Sequence, residues 1–248
     1  RDQVRVETSF AQSKLSYTIT LDAGSRALRF DASCDWQQHG VQDGAIPQLN
    51  FTLPVGYDVA GYRYDIPFGT IDREGQALDV PANSFCVPVA TDGPALMLFS
   101  RDRYGFRGYE NSASLTLIRS SFDPDPHPEL GSHDFSFAVA LCPNQESASL
   151  LDEAESLNLA ITPLSVTPKK GVLPACRSFC RISGDSVQVS AVKLDEETCE
   201  TLLLRLWEPQ GCEARCTLAF AKAVTNAYLV DVHEKPVENG ALAIEDGS

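Results

Sequence analysis

The stretch "ALRFDASCDW" (27–36) sets Leu28, Phe30, Ala32, Cys34 and Trp36 against Arg29, Asp31, Ser33 and Asp35. Strict period-two alternation places every apolar side chain on one side of an extended chain, the mark of a strand with one buried and one wet face. "LSYTITL" (15–21) repeats the pattern, with Leu15, Tyr17, Ile19 and Leu21 opposite Ser16, Thr18 and Thr20. "QLNFTLPV" (48–55), "ALMLFS" (95–100), "SLTLI" (114–118) and "FSFAVAL" (135–141) continue it. Turn residues separate the runs at Asp22 to Ser25, Asp43-Gly44, Pro54 to Gly56, Asp92-Gly93 and "DPDPHPELG". Many alternating strands at this spacing predict stacked antiparallel sheets, an all-β chain.

One segment departs from period two. In "PNQESASLLDEAESLNL" (143–159), Leu150, Leu151, Ala154 and Leu157 fall at helical spacing, with Asn144 as the expected N-cap and Glu146, Asp152, Glu153 and Glu155 on the wet side. A Pro-rich linker, "ITPLSVTPKKGVLPA" (161–175), follows. Strands resume in "DSVQVSAVKL" (185–194), "TLLLRLW" (201–207), "CTLAFA" (216–221) and "NAYLVDV" (226–232), and the tail "ENGALAIEDGS" reads as frayed. The expected organisation is a β domain over 1–160, a linker over 161–175 and a small β domain over 176–248.

The 248 residues carry a net charge of -14. No basic stripe exists to meet phosphate, so neither nucleic acid nor an anionic membrane surface is an expected partner. No window approaches a membrane span, and no basic-then-apolar leader is present. The first residue is Arg1, and the simplest reading is a piece of a longer protein.

Four of the eight cysteines form two C-x3-C pairs, "CRSFC" (176–180) and "CEARC" (212–216). Within one strand the members of a pair lie roughly 13 Å apart at about 3.3 Å per residue, too far to share a metal. One cysteine from each pair could still meet across adjacent strands, but buried free thiols in a reducing cytoplasm are the expectation. The four histidines show no ligand spacing; His133, in "GSHDF", reads as a turn histidine bonded to local backbone. No G-x-S-x-G, G-x-G-x-x-G or Walker motif occurs. "RYGFRGYE" (103–110) reads as a surface loop whose rings and arginines suit contact with a sugar. In "YDIPFGTIDRE" (64–74), Asp72 and Glu74 would share a strand face, but Arg73 between them marks a surface corner.

"YDIPFGTIDRE" resembles a hallmark of glycoside hydrolase family 38, the α-mannosidases, where a strand ends in Phe-Gly and runs on to an Arg. The strand ending in Asp35-Trp36, the Tyr104-Gly105 segment, Leu115 to Ser120, Pro124 to Pro126, Gly131 to Phe135, "EAESLN" (153–158) and "AVKLDEETCETLLLRLWEPQG" resemble further family elements in family order, over roughly residues 15–235. "NSFCVPVA" (83–90) lacks the Trp that often follows the family's Pro-Ala region.

The resemblance covers only the C-terminal β half of that family. It implies a galactose mutarotase-like supersandwich with one short helix, followed by a small β-sandwich domain. In whole enzymes the N-terminal domains carry the nucleophile, the acid/base carboxylate and a zinc ion, and hydrolyse terminal α-mannosides with retention. No catalytic or metal residue and no cofactor is therefore expected in this chain. The expected partners are its own N-terminal catalytic domain and a mannose-containing oligosaccharide. The expected substrate-side residues are Arg103, Tyr104 and Arg107, then Arg73 and His133. Acidity and cysteine usage suggest a cytoplasmic bacterial enzyme of mannose metabolism. Two other readings are a free-standing sugar-binding sandwich and a mutarotase-like epimerase using His133 with a carboxylate.

Overall fold

The structure, a computed structural model, describes residues 1–125, 127, 129–159, 162–172, 174–184 and 186–244. Within the Pro-rich turn, Pro126 lies outside these described residues. The chain divides into two units, Arg1–Ala160 and Ile161–Ser248.

The first unit holds β1 (Asp2–Phe10), β2 (Ser13–Leu21), β3 (Ala27–Trp36), β4 (Gln48–Pro54), β5 (Val59–Ile66), β6 (Gly69–Arg73), β7 (Val80–Pro81), β8 (Phe85–Ala90), β9 (Ala95–Ser100), β10 (Gly105–Tyr109), β11 (Ser112–Arg119), β12 (Gly131–Cys142) and α1 (Ser147–Asn158). Eight strands form one sheet in the order β1-β2-β3-β12-β9-β8-β5-β6, and four form another in the order β4-β11-β10-β7. Every paired strand is antiparallel.

The alternation of β3 is realised nearly in full, with Phe30, Ala32, Cys34 and Trp36 buried and Arg29, Asp31, Ser33 and Asp35 exposed. Those apolar residues meet Phe51, Phe106, Leu115, Phe135 and Phe137 in a core between the sheets. Phe30 stacks on Phe137 at 4.7 Å between centroids, and Phe51 packs on Phe137 at 4.6 Å. Trp36 is fixed by its indole N–H, which donates to Ser120 Oγ at 2.6 Å. Leu21 and Leu28 pair across β2 and β3 but stay 39% and 40% exposed, because they lie outside the core cluster that Phe30 begins.

A second apolar layer lies on the other face of the large sheet. Leu150 and Ala154 of α1 pack there with Phe85, Val87, Met97, Phe99, Ala138 and Ala140. The N-cap is Glu146 rather than Asn144, and it makes no side-chain capping bond. Asn144 instead accepts the Glu146 N–H through Oδ1 at 2.9 Å, a local turn before the helix begins. Gln145 holds this approach to the sheet by accepting Ala90 N–H and donating to the carbonyls of Ala90 and Gly93.

The segment expected to be a surface loop, "RYGFRGYE", contains a central strand, β10, with Phe106 fully buried. Gly108 has a packing role. A Cβ at Gly108 would sit 2.2 Å from two Tyr62 ring atoms and 2.7 Å from Tyr64 Oη, so only a bare backbone fits against those rings. Glu74 lies past the end of β6 and does not share a strand face with Asp72.

The second unit holds β13 (Cys180–Gly184), β14 (Gln188–Leu194), β15 (Leu202–Trp207), β16 (Cys216–Phe220), β17 (Tyr228–Val230) and β18 (Pro236–Ala241), paired as β13-β16, β14-β15 and β17-β18. The tail read as frayed lies partly in β18, where Asp231 and Lys235 close the hairpin through backbone bonds. Among the described residues of this unit only Pro209 and Gly240 are buried. The C-x3-C cysteines are not buried: Cys176 and Cys212 are exposed, and Cys180 and Cys216 are half-buried. Register sets Cys180 opposite Phe220 and Cys216 opposite Gly184, at opposite ends of one strand pair.

Candidate functional site

The outer face of the four-stranded sheet is built by residues that alternate with its core. Because Phe106 and Leu115 point inward, Arg107, Ser114 and Thr116 point outward. Pairing of β4, β11 and β10 sets Thr52 beside Ser114 and Ser114 beside Arg107. Thr52 and Ser114 share a hydrogen bond of 2.9 Å.

Arg107 donates to Asp79 Oδ1 from Nε at 3.0 Å and from Nη2 at 2.7 Å. Thr116 Oγ1 donates to the other carboxylate oxygen at 3.0 Å. The fork fixes the guanidinium on a half-buried surface and leaves Nη1 outside it, a geometry suited to hydroxyl oxygens. Tyr104, 58% exposed, leads into the same strand, and Tyr109, 39% exposed, ends it. Fixed polar groups with exposed tyrosines at the two ends of one strand are of the chemical kind that suits a polyhydroxylated ring, whose faces stack and whose hydroxyls bond.

Arg73 ends β6 opposite Tyr62, so its side chain lies on the inter-sheet side and not on this outer face. After β6 the chain crosses toward β7, and Gln76 N–H donates to Gly108 C=O at 2.9 Å, next to Arg107. The Arg73 guanidinium lies 5.2 Å from the Tyr64 ring centroid. Burial pushes the Tyr64 phenol far above its ordinary range and the Cys86 thiol opposite it up to about 12. The Tyr64 hydroxyl is inaccessible and lies against Cys86 and the Gly108 backbone without a well-formed bond to either. On the other face of the same strand, Arg63 forks onto Asp72 at 2.7 Å and 2.7 Å and reaches Gln145 C=O at 2.6 Å. The Arg63 fork holds the Asp72 carboxyl below its usual range.

The remaining expected residues lie elsewhere. Arg103 donates to Leu117 C=O at 2.7 Å and Asp102 C=O at 2.8 Å, and its guanidinium sits 5.3 Å from the Phe135 ring. It pins the β9–β10 connection to β11 and β12. His133 Nε2 bonds the Glu129 carbonyl at 2.6 Å, a local contact beside β12. Tyr104 and Arg107 thus lie beside or on β10, Arg73 faces the inter-sheet core beside Tyr62 and Tyr64, and Arg103 and His133 lie elsewhere. Asp79, which orients Arg107, went unnoticed in the sequence because it lies 28 residues away with no periodic signal.

The opposite surface carries a shallow groove of about 450 Å³ on the large sheet, where Arg5, Thr18, Asp31 and Ser136 form one cross-strand row. Among the described residues no three of His, Cys, Asp and Glu gather as metal ligands. No helix is long and apolar enough to cross a membrane.

Fold and sequence together define the C-terminal β portion of a glycoside hydrolase. Residues 1–127 match the glycosyl hydrolases family 38 C-terminal domain and residues 186–247 the family 38 C-terminal beta sandwich domain; the chain belongs to glycosyl hydrolase family 38. It is 28% identical to human alpha-mannosidase 2C1 and 27% identical to the mouse protein of that name, over 94% of this chain and 23% of each relative. The chain therefore spans about a quarter of the length of these curated relatives. Two Enterococcus faecalis structures, one of a protein in glycosyl hydrolase family 38 and one of an alpha-mannosidase, share its fold with TM-scores of 0.76. Each is 17% identical and covers 95% of this chain, which spans 28% and 27% of their respective lengths.

Proposed function

We propose that this chain is the non-catalytic C-terminal portion of a retaining, zinc-dependent α-mannosidase, acting in the cytoplasm on terminal α-mannosides. The observation that carries the reading is the match of both units to family 38 C-terminal domains, alongside curated relatives named as α-mannosidases about four times as long. In this reading the nucleophile, the acid/base group and the zinc belong to N-terminal domains. The first unit braces them, and Tyr104 and Arg107 lend side chains to the sugar cleft. The pinned geometry of Arg103 and His133 gives them a positioning role at most. No two of the eight cysteines form a disulfide, which supports a reducing compartment.

The test is hydrolysis of a fluorogenic α-mannoside by the longer polypeptide that carries this chain. Turnover that stops on chelation, returns with zinc and releases the α-anomer first is the expected result. Turnover indifferent to chelation, or release of the β-anomer, would remove the zinc or the retaining assignment respectively.

A further inference from the structure

The second unit has strands but hardly any interior. Its sheets are two-stranded, and no apolar side chain among its described residues other than Pro209 is buried. Isolated two-stranded sheets are marginal in water, and a unit of this size without a core has little to set against its chain entropy.

Its apolar residues are nonetheless ordered. In the β14–β15 hairpin, Val189 opposes Leu206, Val192 opposes Leu204, and Leu194 opposes Leu202. The irregularity between Val189 and Ala191 keeps all three pairs on one face. The other face carries Gln188 opposite Trp207, Ala191 opposite Arg205 and Lys193 opposite Leu203. Lys193 there bonds Glu196 and Glu234, and Gln188, Ala191, Leu203 and Trp207 on that face are all half-buried within the unit. The aliphatic face grades from half-buried at Val189 and Leu206 to 55% exposed at Val192, 51% at Leu194 and 37% at Leu202. Six aliphatic side chains in three cross-strand pairs form one side of a core that lacks its other side.

We propose that this hairpin face is an interdomain docking surface whose occupant is the N-terminal part of the same polypeptide. This rests on the proposed function above. The occupant follows from the lengths: both matches are to C-terminal domains, and 77% of each curated relative lies outside the region this chain covers (100% less 23%). The missing half of the core is aliphatic, and the contact completes the sandwich that the second unit begins.

Radical footprinting read by mass spectrometry tests this on unmodified protein, comparing Val192, Leu194 and Leu202 in the 248-residue chain and in the longer polypeptide. The expected result is at least about fivefold lower labelling of all three in the longer polypeptide, with the exposed Leu164 and Val166 unchanged. Equal labelling in the two proteins would overturn the proposal. So would protection already present in the 248-residue chain. If sedimentation then showed a dimer that Leu194→Asp dissociates, the occupant would be a second copy. Mannoside turnover by the longer polypeptide is read separately, so a protein that docks but does not hydrolyse sinks the enzymatic reading and leaves the docking intact.

Discussion

Arg107 and Asp79 form a two-nitrogen fork on one carboxylate oxygen, with Thr116 holding the other, across the outer face of the small sheet. Their side chains are 31% and 26% exposed, so the pair is neither a core ion pair nor a freely solvated one. Its value lies in orientation, because it fixes a guanidinium that would otherwise sample many rotamers.

Asp79→Asn therefore releases Arg107 at modest cost. The expected loss is about 1 kcal/mol in denaturant unfolding, and a cycle with Arg107→Lys should show a coupling of about the same size. In the longer polypeptide, Asp79→Asn should raise KM for an oligosaccharide more than it lowers kcat, which a purely structural role would not do.

Gly108 marks the tightest approach of backbone to ring in the unit. Gly108→Ala drives a methyl group into Tyr62 and toward Tyr64 Oη. The expected cost is about 3 kcal/mol, at the upper end for overpacking, and is read as a lower denaturation midpoint with an unchanged slope.

Hairpin β5–β6 is joined by Arg63 and Asp72, whose carboxyl is held below its usual range chiefly by the Arg63 hydrogen bonds. A depressed folded value means the stabilisation is complete above the unfolded carboxylate pKa and lost as pH falls through the folded value. Asp72 is 60% exposed, so screening limits the effect to about 0.5 kcal/mol. Asp72→Asn should lower stability by that amount at pH 7 and by nothing measurable near pH 2, as followed by urea unfolding.

Much of the first unit was legible in the sequence because its strands have one wet face. β3 shows this best, its Arg and Asp residues exposed between buried Phe30, Ala32, Cys34 and Trp36. β8 escaped because both of its faces are covered, Phe85 and Val87 by the helix layer and Cys86 by the inter-sheet core, so it lacks alternation. β10 escaped because its glycines read as loop signals, whereas Gly108 serves close packing on Tyr62. The partners of Arg107 and Arg103 lie far along the chain, and side-chain pairing at that separation leaves no local pattern. The exposure of the C-x3-C cysteines was likewise invisible, since it follows from the thinness of the second unit's core.

Thiol reactivity checks that division. Burial raises the Cys34 thiol and pushes Cys86 up to about 12 and Cys142 up to about 11, whereas Cys176, Cys199 and Cys212 are exposed. At pH 8 an aromatic disulfide reagent should modify those three within seconds to minutes, and Cys34, Cys86 and Cys142 only after denaturant is added.

Acid should loosen the second unit. The Asp195 carboxylate accepts backbone N–H bonds from Thr198, Glu200 and Thr201, and Asp231 accepts them from His233 and Lys235. These bonds hold both carboxyls below their usual range, so the turns are stabilised above it and lose that stabilisation as pH falls through the folded values. Hydrogen exchange corrected for intrinsic rate should be faster at 195–201 and 231–235 at pH 2.5 than at pH 6. Asp195→Ala should reproduce the first change at pH 6.

The most direct measurement is α-mannoside hydrolysis by the purified 248-residue chain, with zinc supplied and then chelated. No turnover under either condition is the predicted result, because the reading places nucleophile, acid/base group and metal outside this chain. Zinc-dependent turnover by the chain alone would contradict it.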